Sequence, residues 1–255
     1  MALASAGLTA MEALLAPSLA AARAAGSGGA PAVEGEGVVK AQQWVPFAQQ
    51  TPVGESERVF HIVDRVFLGS EFGAGDRDLL DALGITAIIN VTAGSRRVPN
   101  HFEGSGIEYC HFELFDQPGA DPSDATEQGG AALERWAAEG KGALVHCSAG
   151  LSRSVTVVLA WLMTTRQLSL ADAVALVNER RGRRVQCNPS FWCFLAGLER
   201  KLHSWSPGIA PSLDFTPWVV EDFGNMGFTE DKVKNALHNE GDWVDFEAFY
   251  AALIE

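Results

Sequence analysis

The sequence predicts an α/β protein: a central, mostly parallel sheet flanked by helices, followed by a small bundle of three short helices. Three observations predict it. Between residues 58 and 206, short apolar runs rich in Val, Ile and Leu alternate with amphipathic stretches of helical length, the pattern of strands separated by helices. Within that region Ala143-Leu144-Val145 runs into a tight loop and then into Val155 to Met163, a segment apolar on every face, so a buried strand feeds a buried helix. Past a Pro/Gly/Ser stretch, apolar residues return at helical spacing up to Leu253.

Residues 1–57 are set apart by composition. Ala, Gly, Ser and Pro dominate, as in Ala20 to Pro31, and such a segment reads as a disordered tail that cannot bury enough apolar surface to fold. Residues 6–25 are alanine-rich but have no strongly apolar face, and no stretch has the length and hydrophobicity of a membrane span. No basic segment precedes an apolar run, as a secretory signal requires. Glu12 and Arg23 are the charged residues of the first 33, and an organelle transit peptide stands as the alternative to a plain tail.

The folded part, 58–206, begins near Arg58. Val59–Val63 and Arg65–Gly69 are expected as strands around a turn at Asp64. Asp76 to Leu83 is expected as a short helix with Leu79, Leu80 and Leu83 on one face and Gly84 closing it. Branched apolar content makes Ile85–Val91 a buried strand, and Ile107–Phe112 is another. Ser123–Glu139 reads as a helix with Leu133 and Trp136 inward. Ser169 caps a helix over Leu170–Arg180, whose Ala173, Val174 and Val177 face the core. Asn188-Pro189 opens a last helix through Phe191, Phe194, Leu195 and Leu198.

Composition narrows the function. A net charge of −13 argues against general nucleic-acid binding. Cys110, Cys147, Cys187 and Cys193 form no CxxC pair and have no metal-ligand spacing, so reduced thiols in the cytoplasm or nucleus are expected, with no metal and no cofactor. Cys110 and Cys193 lie among aromatics and read as core.

The chemistry concentrates in the loop His146-Cys147-Ser148-Ala149-Gly150-Leu151-Ser152-Arg153-Ser154. A loop between a strand and a helix N-terminus aims its backbone N–H groups at one point, at the positive end of the helix dipole. A tetrahedral anion fits such a nest. Arg153 adds a planar, permanently charged fork. Cys147 lies beneath the anion, where the same field favours thiolate over thiol and makes sulfur a nucleophile in line with phosphorus. Gly150 stands where a side chain would crowd the nest.

This loop resembles the HCxxGxxRS signature of the cysteine-dependent protein tyrosine phosphatase superfamily, and its surroundings resemble the dual-specificity branch, near the MAP-kinase-phosphatase-like catalytic domains. The similarity spans roughly 58 to 206 and includes Leu68-Gly69-Ser70, Ile89-Asn90-Val91-Thr92, Pro99 to Glu103 and Arg180-Arg181 with Asn188-Pro189. It implies a protein-tyrosine-phosphatase-like fold, with Ser148 to Arg153 binding phosphate and Ser154 donating to the cysteine sulfur. The departing oxygen must be protonated, and the resemblance implies Asp116 as general acid, 31 residues before Cys147. Asp121 and Asp124 are the competitors, Asp124 being suited to start the next helix. His146 is read as orienting the cysteine backbone, and Asn188 as tying down the phosphate loop or capping its helix. Arg180, Arg181, Arg183 and Arg184 either steer acidic substrates or favour a helix end. The chain departs from the family where Val155 and Cys187 stand in place of prolines.

Ser206 to Ser212 reads as linker by composition, and the boundary between the two parts is placed at 207–215. Residues 216–255 then hold three short helices, with Val233, Ala236 and Leu237 inward in the second. Met226-Gly227-Phe228 and the helix after it resemble a ubiquitin-associated (UBA) domain, which implies ubiquitin capture by an exposed Met226–Phe228 loop; a helical appendage docked on the larger domain is the alternative.

The expected function is a dual-specificity protein phosphatase acting through a cysteinyl phosphate, with a phosphorylated protein, a MAP kinase among the candidates, as substrate. The alternatives are a phosphatase of a non-protein phosphate (phosphoinositide, RNA end or glucan) and a phosphosite- or ubiquitin-binding adaptor. The loop lacks the extra basic residues expected for inositol phosphates.

Overall fold

The computed structural model describes residues 58–205, 209–239 and 246–254, all within one compact unit, Val38–Glu255. The expectations for the tail 1–57 and for Ser206 to Gly208 of the linker lie outside the described residues.

Five strands form one sheet: β1 (Val59–Val63), β2 (Val66–Gly69), β3 (Ile85–Asn90), β4 (Glu108–His111) and β5 (Gly142–His146), in the order β1-β2-β5-β3-β4. β5 is central and pairs parallel with β2 and β3, and β4 pairs parallel with β3. β1 closes the other edge as an antiparallel hairpin with β2. The α/β expectation therefore holds. All five residues of β5 are buried, which explains why it reads as a continuous apolar run and not as an alternation.

The sheet separates two apolar cores. On one face Phe67, Leu80, Ile85, Ile88 and Leu144 pack beneath two short helices, α1 (Glu71–Ala74) and α2 (Arg77–Ala82). On the other, Leu68, Ala87, Ile89 and Val145 meet the larger helices. A register shift between Ile85 and Ala87 puts Ile85 and Ile88 on the same face, a phase change that simple alternation misses. The large layer holds α3 (Ser123–Ala138), α4 (Arg153–Arg166), α5 (Leu170–Arg181) and α6 (Pro189–His203). α4 lies between β5 and its neighbours, so Val155 through Met163 are all buried and no polar face is left to read. Ser169 and Asn188 cap α5 and α6 by accepting from the N–H groups of Asp172 and Phe191.

Three further helices, α7 (Thr216–Asn225), α8 (Glu230–Asn239) and α9 (Phe246–Ile254), close the chain. The rings of Phe228 and Phe249 pack edge-on against Phe223, at 5.9 and 5.2 Å between centroids. Val233, Ala236, Leu237 and Leu253 complete that core. Of the loop expected to be exposed, Met226 is 54% exposed, whereas Phe228 turns partly inward against Phe223.

The described part of the expected linker does not behave as a spacer. Glu199 on α6 is fully buried and accepts from the Leu170 N–H at 2.7 Å, from the Ser212 N–H at 2.9 Å and from Ser212 Oγ at 2.5 Å. Ser212 Oγ also accepts from the Ala171 N–H. Phe215 and Trp218 both stack on Trp192 of α6, at 6.0 and 4.8 Å. Small and turn-forming residues gave this stretch its linker composition. Its anchors, Ser212 and Phe215, show their role only once α6 is in place.

Candidate active site

The catalytic loop joins β5 to α4. Gly150 adopts φ +69°, and a Cβ there would stand 2.6 Å from the Gly69 carbonyl oxygen, so only glycine lets the loop close on β2. The loop curls around Cys147, which is 1% exposed. Its Sγ accepts from the Gly150 N–H at 3.2 Å and from Ser154 Oγ at 3.3 Å. α4 begins at Arg153, so the positive end of the helix faces the same point. Glu71 N–H of α1 donates to the Ser148 carbonyl at 2.9 Å and pins the outer side of the loop.

Arg153 is 7% exposed, and its Nη2 donates to Ser148 Oγ at 3.2 Å. Its Nε lies 3.4 Å from Asp116 Oδ2. Asp116 Oδ1 accepts from Ser152 Oγ at 2.7 Å and from Asn188 Nδ2 at 3.1 Å, and the Asn188 N–H donates to Ser152 Oγ at 3.3 Å. Asn188 therefore caps α6 and also contacts both Ser152 of the loop and Asp116. Ser152 is the link between the two loops, and as a loop serine it carries no pattern that announces this.

The competing acids have other partners. Asp121 accepts from the Ser123 N–H and hydroxyl, and Asp124 lies in the first turn of α3. His146 Nδ1 lies 3.1 Å from the Cys147 carbonyl oxygen, and burial pushes this imidazole down to about 4, so it carries no charge at physiological pH. Burial pushes the Cys187 thiol up, and Thr156 Oγ1 donates to it at 3.5 Å. Of the basic cluster, Arg181 is buried with its guanidinium 5.3 Å from the Phe60 ring centroid, and Arg184 stands 5.3 Å from that of Trp218. These two pack on aromatics.

The cup above Cys147 is a cavity of about 440 Å³. Ser148, Ala149, Leu151, Ser152 and Arg153 line it, with Asp116 and Gln117 on one rim. Phe115 and the segment Ala93 to Ser95 form a wall that the sequence did not point to. That segment is placed by a buried polar network: Asn90 Nδ2 donates to the Val98 carbonyl, Thr92 Oγ1 to Asn90 Oδ1, and the Val98 N–H to Thr92 Oγ1. Among the described residues no cluster of three His, Cys, Asp or Glu side chains is placed to hold a metal ion, and no helix is long and apolar enough to cross a membrane.

A buried sulfur at the floor of a loop-lined cup, an arginine in its wall and a carboxylate on its rim are the parts that a cysteine-based phosphatase site requires. Residues 66–201, more than half of the chain, match the family described as dual specificity phosphatase, catalytic domain, and the chain belongs to that family. Dual specificity protein phosphatase 1 of Mus musculus is 39% identical over 131 residues, 51% of this chain and 35% of that protein. Dual specificity protein phosphatase 4 of Homo sapiens is 39% identical over 135 residues, 51% of this chain and 32% of that protein. The chain thus spans about a third of the length of these curated relatives. Among solved structures, human DUSP28 is similar with a TM-score of 0.54 and 32% identity, over 60% of this chain and 99% of that one. A mouse putative dual specificity phosphatase complexed with zinc tungstate gives a TM-score of 0.54 and 29% identity, over 66% of this chain and 99% of that one.

Proposed function

We propose that the chain hydrolyses phosphotyrosine and phosphoserine/threonine in proteins, MAP kinases among the candidate substrates, through a cysteinyl phosphate. The observation that carries this reading is the convergence of Cys147, Arg153 and Asp116 on one cup. Loop N–H groups and the Arg153 guanidinium hold the non-bridging phosphoryl oxygens. Cys147 Sγ forms a bond to phosphorus as the bond to the leaving oxygen breaks, and protonated Asp116 gives its proton to that oxygen. Water then attacks phosphorus, Asp116 takes its proton, and the sulfur–phosphorus bond breaks. The Ser154 hydroxyl, already donating to Sγ at 3.3 Å, stabilises the departing thiolate. Thiolate chemistry suits a reducing compartment, and we place the protein in the cytoplasm or nucleus on that ground.

The deciding experiment compares wild type with Cys147→Ser on p-nitrophenyl phosphate, on phosphotyrosine and phosphothreonine peptides, and on phosphoinositide, RNA-end and glucan phosphates. Turnover of the peptides, abolished in the variant, supports the proposal. Preference for a non-protein phosphate replaces it with the alternative, and no turnover at all leaves an adaptor.

A ubiquitin-binding role for Met226, Gly227 and Phe228 is a second reading, supported by the exposure of Met226, Tyr250 and Ile254 on the C-terminal helices (54%, 42% and 60%). Chemical-shift titration of the full chain with ubiquitin tests it. Perturbation that Met226→Asp removes supports it, and none at millimolar ubiquitin rejects it.

A further inference from the structure

A trough with a cavity volume of about 1070 Å³, more than twice that of the catalytic cup, runs between α3, α4 and α6. Small residues line it on all three helices: Gly130 and Ala131 on α3, Ala160 on α4 and Gly197 on α6. They leave room for another backbone to come close. Phe194, Leu198 and Leu202 follow one another at four-residue steps on α6, so they lie one above the other and form an apolar wall that is only half-buried. Phe246 of α9 meets the acid loop at the margin, 3.9 Å from where a Cβ on Gly119 would stand. Leu202 and Phe246 lie outside the family-matched residues 66–201, so the trough is built by the catalytic domain and the C-terminal helices together.

The charge around this apolar surface has one dominant sign. Asp121, Glu127, Glu134 and Glu247 line the trough, against Lys201 as the one cation among its lining residues. Two of the carboxylates have a fixed spacing. Glu127 and Glu134 are both exposed and stand seven residues apart on α3, two helical turns, or about 10.5 Å, along one face. Trp161 Nε1 donates to Glu134 Oε1 at 2.7 Å and holds that carboxylate at the wall. One side of the trough is therefore apolar and the other carries two negative charges at a defined interval.

We infer that the trough is a docking site for an amphipathic helix of a protein partner, with an apolar stripe that lies on Phe194, Leu198 and Leu202 and two Lys or Arg residues seven apart that meet Glu127 and Glu134. A helix that enters a groove anchors itself through side chains at three-, four- and seven-residue spacing. Laid along α3, it brings residues seven apart to the same two-turn interval as the carboxylates. Burial of the half-exposed α6 stripe supplies the affinity, and the two charge pairs fix register and direction. The N-terminal stretch does not supply this pattern, because its basic side chains within 1–57, Arg23 and Lys40, are 17 residues apart. The inference does not depend on the phosphatase reading.

The test measures fluorescence anisotropy of the full chain with labelled helical peptides. The first carries a leucine face and two lysines seven residues apart beside it. The second has glutamates at those two positions, and the third keeps both lysines but moves one to the opposite face. Wild type is expected to bind the first peptide with micromolar Kd and the other two about tenfold more weakly, the size of two partly screened charge pairs. The double variant Glu127→Lys/Glu134→Lys, both on exposed positions, should reverse the order and favour the glutamate peptide. Ala131→Phe, which narrows the trough without touching a charge, should weaken both. Melting temperatures of the variants, expected within a few degrees of wild type, show that they fold. Equal binding of the first and third peptides would mean attraction to a chain of net charge −13 and no register, and overturns the site. Binding that survives the double variant, or none below millimolar peptide, overturns it as well. A wild-type dimer in sedimentation that the double variant dissolves would assign the trough to a second copy of the chain and overturn the partner.

Discussion

The phosphate cup and the C-terminal helices are built in opposite ways. The cup is a local object: Cys147, Gly150, Arg153 and Ser154 fall within eight consecutive residues, and the strand and helix on either side aim them. The C-terminal helices are joined to the domain by residues scattered along the chain, with Trp192 against Phe215 and Trp218, and Glu199 against Ser212. A local device is carried by covalent neighbours and tolerates changes elsewhere. A docked one depends on several side chains arriving together. Chemistry and cohesion of this protein should therefore respond to different mutations.

The largest effect expected lies at the cup. Cys147→Ser should lower turnover of every substrate by on the order of 10⁴-fold or more while leaving the melting temperature within a few degrees, because the alcohol is a poor nucleophile of nearly the same size. Asp116→Asn follows, with a loss of roughly 10²–10⁴-fold in kcat on alkyl phosphates, whose leaving oxygen needs a proton, and a much smaller one on p-nitrophenyl phosphate. An equal loss on both substrates would show that Asp116 serves mainly to hold Ser152, Asn188 and Arg153 in place, and the contrast between a local cup and a distributed scaffold would blur.

The scaffold should fail in the other direction. Phe215 is fully buried and its ring stacks on Trp192. Phe215→Ala should cost about 3–5 kcal/mol of stability, measured by denaturant unfolding, through lost burial and the cavity left behind. Activity per folded molecule should change less than about twofold. A tenfold loss of kcat in the folded fraction would mean that the C-terminal helices also position the acid loop.

The same contrast explains what was legible in the sequence. β5, its loop and α4 were readable because a buried run, a glycine and a helix are contiguous there, and the capping of α5 by Ser169 follows from local chemistry. The strands, α3 and α5 were found within a residue or two of their observed ends, whereas α4 runs on to Arg166 and α6 to His203, past the last apolar residues that marked them. α1 was not found, because a four-residue helix has no periodicity to read. The roles of Ser152 and Ser212 were not readable either. Each depends on a partner distant in sequence, Asp116 and Glu199, and a single polar residue in a loop looks the same whether or not that partner arrives. The basic cluster was legible in part: Arg180 and Arg181 lie in the last turn of α5, as the helix-end reading expects, but the aromatic rings that Arg181 and Arg184 reach come from β1 and α7.

The smallest effect expected joins the two regions. Asp222 of α7 is pushed up to about 7, first by burial, then by the neighbouring Glu221 and then by Asp116 of the acid loop. Its native value lies above the 3.8 of an ordinary aspartate, so between about pH 4 and 7 the folded chain keeps a proton that the unfolded chain has released. Stability contributed at this group is therefore present below pH 4, falls as pH rises through that window and stays low above it. Asp222→Asn keeps the shape and removes the titration. The variant should match wild type near pH 4 and exceed it by about 1–2 kcal/mol at pH 8, a figure below the full shift because the carboxyl is partly open to solvent. His146 acts with the opposite sign: its native value of about 4 lies below the ordinary 6.5, so its contribution grows as pH rises across that range. Both proteins share His146, so it cancels in the difference between their unfolding curves. A difference that stays constant from pH 4 to 8 would show that the Asp222 carboxyl titrates as it does in water, and the electrostatic tie between the C-terminal helices and the acid loop would be lost with it.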